Sequence, residues 1–269
     1  MKKKRLIPVL LLKNGWLVQS KSFSTYQNLG NPTTAVTRIS EWGSDELIYL
    51  DISSDSNYDI RRDDQNYPNR RTFLEIIEDV SSATFMPITV GGKIKSLNDI
   101  ENRLRLGADK ISINKYAIKN PAFINEAAKE FGSQCIVISV DVKKHNSNDL
   151  IYNYDDKNCY DLVLLDYLKK VEDLGAGEIL INSVDRDGSG EGYDIGLLND
   201  ICENINIPII ACGGVGEWSH FQEALEKTNV DAVSAANIFH YIDQSVYLAK
   251  SFLFDKGLNV RKPDLLTIK

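Results

Sequence analysis

A chain of 269 residues, 43% hydrophobic and 26% charged, can bury a large core and has an ordinary globular composition. Its net charge of −7 argues against a nucleic-acid binder, which needs a basic face. The opening apolar run, Leu6–Leu12, is too short to span a membrane. The four cysteines lack Cys-x-x-Cys spacing and the three histidines form no i, i+4 pair, so no metal site, redox motif or cofactor is expected. The basic opening Lys2–Arg5 is followed by no leader-type apolar region and cleavage site, and a cytoplasmic protein is expected.

Short apolar strands alternate with amphipathic helical stretches along the chain. Strands are expected over Leu6–Leu12, Glu46–Asp51, Met86–Val90, Lys110–Ile113, Ile136–Asp141, Glu178–Asn182, Ile207–Ala211 and Ala232–Ala235. Helices are expected over Pro32–Trp42, Thr72–Ser82, Ser96–Arg105, Pro121–Phe131, Leu162–Leu174, Ile195–Asn204, Glu217–Glu226 and Ser245–Phe254. Asn31 and Asn120 each precede a first-turn proline, Ser96 with Asp99 reads as a capping box, and Gly107 and Gly175 sit just past helix ends. Eight βα units at this length predict a single (β/α)8 barrel, an α/β fold, over residues 1–269.

The two halves repeat. Trp42–Asp51 matches Leu174–Ser183 at an offset of 132 residues, whereas Thr89–Gly92 matches Ala211–Gly214 at 122. Half-barrels of about 1–125 and 126–260 are therefore expected, with an enlarged, mobile top-face loop at about 53–71 in the first half. In the repeat, Leu11 and Lys13 align with Asp141 and Lys143.

The most informative stretch is Gly175–Asp194, a buried strand that breaks into a loop rich in Asp, Gly and Ser. In α/β folds ligands sit at such strand ends. Gly91–Gly92 and Gly213–Gly214 each follow a strand and precede a helix, where backbone N–H groups can approach an anion. The following strands end at Asn114 and at Ala236–Asn237, which would complete each cradle, while Asp187 is expected to orient the Gly188 loop. Two cradles across one barrel mouth suit a long substrate with a phosphate at each end. Arg5, Glu46, Lys110 and Glu178 each start a strand, with alternating sign, and would pair as a ring.

Arg5–Gly15, Gly43–Asp51, Thr89–Ile94, Gly107–Asn114, Phe131–Lys143, Gly175–Gly188 and Pro208–Gly216 together resemble the cyclase (HisF-type) subunit family of imidazole glycerol phosphate synthase, a lyase of histidine biosynthesis. The resemblance implies a barrel mouth that binds a substrate with two phosphates. It also implies ammonia arriving through the barrel from a glutaminase subunit at the N-terminal face, with the four-charge ring as gate and Asp109 facing that partner. The family's general acid–base pair corresponds here to Asp141 and, at the first strand, to Leu11, which cannot transfer a proton. Asn14, Gln19, Lys93 and Asn182 also depart from the family pattern at the substrate face. The leading expectation is therefore a paralogue that channels ammonia for amidation of a nucleotide-linked sugar in surface polysaccharide synthesis, beside a separate sugar amidotransferase. The alternatives are the cyclase itself, with Asp51 standing in for the missing acid, and a non-enzymatic barrel that activates its glutaminase.

Overall fold

Parallel pairing of the eight expected strands brings the last against the first, and the sheet closes on itself. The computed structural model describes residues 2–21, 23–54, 57–59, 69–146, 148–240 and 245–265. The order is β1 (Arg5–Lys13), β2 (Trp16–Lys21), β3 (Thr25–Gly30), α1 (Pro32–Glu41), β4 (Leu47–Asp51), α2 (Phe73–Ser82), β5 (Ile88–Gly91), α3 (Leu97–Arg105) and β6 (Lys110–Ile113). There follow α4 (Lys115–Lys119), α5 (Ala122–Phe131), β7 (Ile136–His145), β8 (Asn148–Asn153), β9 (Asn158–Val163), α6 (Leu164–Asp173) and β10 (Glu178–Ser183). The chain continues through α7 (Ile195–Asn204), β11 (Ile209–Cys212), α8 (Trp218–Lys227), β12 (Ala232–Ala235) and α9 (Val246–Asp255). Around the barrel the strands run β1, β4, β5, β6, β7, β10, β11, β12 and back to β1.

Alternation along each strand divides the core in two. Ile7, Val9, Ile48, Val137, Leu180, Ile210 and Ala232 touch one another across the barrel interior and are almost wholly buried. Their neighbours in sequence face outward against the helices: Leu6, Leu10, Leu47, Ile138 and Ile179 belong to a second, larger cluster with Ile76, Ile100, Ile124 and Ile201. That period of two on strands with a helical stripe opposite defines the layers. Helix starts follow local chemistry: Asn31 accepts from the Thr33 amide, and Ser96 and Asp99 form a reciprocal capping box. Gly107 takes φ +101° just past α3, a region glycine enters without penalty.

Several boundaries differ from expectation. The helix expected from Leu162 begins at Leu164, because Leu162 and Val163 extend β9. Pro121 caps α5 instead of lying in its first turn, and the strand expected from Ile207 begins at Ile209. The hairpins β2–β3 and β8–β9 and the short α4 were not expected. Much of the 53–71 loop, residues 55–56 and 60–68, lies outside the described residues. Among the described residues no helix is long and apolar enough to cross a membrane.

Candidate functional site

At the strand-start mouth, Arg5 Nη1 bonds Glu46 at 2.6 Å and Glu178 at 3.0 Å. Lys110 Nζ lies 3.1 Å from Glu46 and 3.2 Å from Glu178. Each cation touches both acids, so the four side chains, 10–19% exposed, close a ring. Burial alone would lower the Arg5 pKa, but Glu178 and Glu46 outweigh it and hold the guanidinium charged. Asp109, next to Lys110, is exposed beside this mouth and accepts from the Ile88 amide at 2.8 Å.

Glu178 starts β10, and Asn182 lies four residues on, about 13 Å at the usual strand rise. There the opposite mouth opens into a cavity of about 360 Å³. Asp141 sits in it at the level of Asn182, its register partner on the neighbouring strand. Asn114 Nδ2 donates to Asp141 Oδ2 at 2.8 Å and Asn182 Nδ2 donates to Oδ1 at 3.1 Å. Burial raises the Asp141 pKa, and the two amides only partly offset it. Cys212 lines the same cavity with its thiol pushed up to about 12 by burial, which leaves it unreactive.

Leu11 also lines this cavity, level with Leu50 on β4 and beside Val9, Leu180 and Ala236. The cavity wall is thus apolar at the first-strand position. Asp51, the nearest acid on β4, is engaged: it is 5% exposed, accepts from the Ser53 amide at 2.9 Å and the Ser53 hydroxyl, and from Tyr58 at 2.6 Å. Lys93 Nζ lies 3.4 Å from Oδ2, the oxygen that also accepts from Tyr58. Lys93 itself takes φ +55°.

The paired glycines have close-packing roles. A Cβ on Gly91 would meet Leu50 at 2.6 Å, on Gly92 the Asp51 carbonyl at 2.4 Å, and on Gly213 the Ser183 carbonyl at 2.8 Å. On Gly214 it would collide with the Gly192 backbone. All but Gly91 have positive φ. Asn114 turns its side chain to Asp141, and Asn237 donates to the Ser20 carbonyl at 2.6 Å. Asp187 accepts from Ser20 Oγ and the Phe23 amide, each at 3.2 Å, and Gly188 packs on Lys21. The loop after β10 therefore anchors the β2–β3 hairpin.

That hairpin and β8–β9 roof the cavity, which the sequence reading missed. Tyr26 and Tyr154 meet hydroxyl to hydroxyl at 3.4 Å, and Phe23 lies edge-on to Tyr152 with ring centres 6.5 Å apart. Lys13 covers the Tyr26 ring at 3.6 Å and Lys143 the Tyr152 ring at 5.2 Å. The signal was present: Asn14-Gly15 ahead of an alternating strand is a strong hairpin marker, and both take positive φ. Among the described residues no cluster of three His, Cys, Asp or Glu could hold a metal ion.

A closed barrel with an ion-pair ring at one mouth and a part-buried carboxylate in a roofed pocket at the other defines the class: a (β/α)8 barrel with its candidate site at the strand ends. The chain belongs to the family described as histidine biosynthesis protein, whose model matches residues 5–244. It is 39% identical over 260 residues to the imidazole glycerol phosphate synthase subunit HisF of Clostridium botulinum strain Okra, covering 96% of this chain and 98% of the relative. It is 41% identical to the same-named subunit of Dehalococcoides mccartyi over 258 residues, 96% of this chain and 98% of the relative. A putative imidazole glycerol phosphate synthase subunit hisF2 of Vibrio vulnificus is 41% identical over 261 residues, 97% of this chain and 92% of the relative.

Proposed function

We propose that this chain is the cyclase-type subunit of an imidazole glycerol phosphate synthase, taking ammonia from a glutaminase partner at the ring mouth. The observation that carries the reading is the placement of the ring and Asp141 at opposite mouths of the same barrel, with an apolar interior between them. The names of the relatives support it. In this reading Asp109 meets the partner and the ring opens to pass a neutral, ammonia-sized molecule. The apolar interior disfavours charged ammonium, which would have to leave water.

At the other mouth Asp141 acts as general acid–base, since ring closure and cleavage need a proton moved at the reacting carbon and nitrogen. Its raised pKa keeps the proton exchangeable closer to neutral pH, while Asn114 and Asn182 fix the carboxylate's plane. Gly91–Gly92 with Asn114, and Gly213–Gly214 with Ala236–Asn237 and the Asp187–Gly188 loop, hold the two phosphates of the substrate. The test is ammonium-driven turnover of the phosphoribosyl-formimino precursor by the purified chain at alkaline pH. Turnover that disappears in Asp141→Asn supports the reading; no turnover overturns it.

One observation favours a second reading. Leu11 supplies no proton at the first-strand position, and Asp51 is tied to Ser53, Tyr58 and Lys93. Under that reading the ammonia is used in amidation of a nucleotide-linked sugar for surface polysaccharide, and the chemistry lies on a separate amidotransferase docked at the roofed mouth. Ammonium transfer to such a sugar only when this chain and the amidotransferase are combined would support it.

A further inference from the structure

Outside the barrel, the β2–β3 hairpin, α1 and the turn after β12 line a half-open crevice of about 300 Å³. Leu17, Leu29 and Ala35 form its apolar walls, and Asn31, Arg38 and His240 face it. Arg38 Nε and His240 Nε2 are both buried with no hydrogen-bond partner. The only contact seen for the Arg38 guanidinium among the described residues is stacking on Trp42 at 5.1 Å. Among the described lining residues there is no carboxylate. A cation with no counter-charge among the described lining residues, beside an unsatisfied ring nitrogen, is costly unless an anion completes it.

We infer that this cavity is a binding site for a small oxyanion, gripped by the Arg38 guanidinium and the His240 imidazole and separate from the pocket that holds Asp141. The planar guanidinium presents a donor fork that matches phosphate or carboxylate. The apolar walls supply the low dielectric in which that contact is strong. Asn31 Oδ1 is used in capping Thr33, which leaves its amide NH₂ as a further donor at the rim. His240 closes the turn that starts at Asn237, so an anion here would brace the segment behind the strand-end site.

His240 supplies the readout. Its pKa is held near 4, mainly by burial and also by Arg38, so the ring is neutral at pH 7. An anion bound between them would stabilise the imidazolium. The experiment follows His240 by NMR in the full chain, assigned against His240→Asn, during titration with inorganic phosphate and, separately, with acetate. The expected result is a saturable change in the His240 resonance, with its titration midpoint rising by about one pH unit. Phosphate alone acting would identify a phosphoryl ligand, and acetate acting equally would identify a carboxylate as sufficient. Arg38→Gln should abolish the response, and Arg38→Lys, which keeps the charge, should retain part of it. A folded wild-type protein whose His240 responds to neither anion through the millimolar range would overturn the site. So would an undiminished response in folded Arg38→Gln.

Discussion

Asn182 Nδ2 donates to Asp141 Oδ1 at 3.1 Å across the β7–β10 seam, where the two residues are register partners. Together with Asn114 from β6's end it leaves the carboxylate accepting from both sides. Both bonds favour the ionised form, against the dominant effect of burial. Asn182→Leu removes one of them and should move Asp141 further up. The ascending limb of an Asp141-dependent pH–rate profile should then lie at higher pH than in wild type. The same raised pKa has a consequence for stability. The folded state binds the Asp141 proton more tightly than the unfolded chain does. Its contribution is therefore present at low pH and lost as pH rises through the folded pKa. A pH-rate limb unchanged in Asn182→Leu would show that the contact is incidental.

The ring is a largely buried ion-pair network, and breaking such a network from one side strands the opposite charges. Glu46→Gln should destabilise the fold by about 3 kcal/mol, the low end for buried pairs, because Arg5 and Lys110 each lose a partner. Urea unfolding measures it as a lower midpoint at constant slope. The double change Glu46→Gln with Lys110→Gln should lose less than the sum of the two single changes, since one charge of each sign is removed.

Tyr58 reaches Asp51 with a 2.6 Å hydrogen bond from the loop that follows β4. Tyr58→Phe leaves the buried carboxylate with one donor fewer, at about 1.5–3 kcal/mol for a bond to a charged group. The fall should be visible as a lower thermal midpoint at pH 7 and should vanish in an Asp51→Ala background, which has no partner for the hydroxyl.

His240 is buried neutral, so its pKa is depressed from 6.5 to about 4. A base that the fold keeps uncharged supports stability fully above its unfolded pKa. That support declines as pH falls from about 6.5 toward 4. His240→Asn should flatten the pH dependence of the melting temperature across that window.

Much of this molecule is written locally. The Val/Ile/Leu strands, the Ser96–Asp99 box and the glycine past α3 specify the barrel units because each depends on residues within a few positions. The ring was legible from strand-start charges of alternating sign, since a cation and an acid there have little choice but each other. What escaped was long-range. The clasp of Tyr26 with Tyr154 joins residues 128 apart in sequence, and no local pattern encodes the meeting. The engagement of Asp51 by Tyr58 and Lys93 likewise depends on where an irregular loop lands. Asn14-Gly15 shows the opposite failure: the turn signal was local and readable, but the polar strands beyond it resemble loop.

The measurement that bears most directly on the function is ammonium-driven turnover of the phosphoribosyl-formimino precursor by wild type, Asp141→Asn and Leu11→Asp. The account predicts slow turnover in wild type, none in Asp141→Asn, and about 10²- to 10⁴-fold faster turnover once Leu11→Asp restores a second proton-transfer group. Wild-type protein that stays silent with saturating ammonium would contradict it and place the acceptor of the ammonia on another protein.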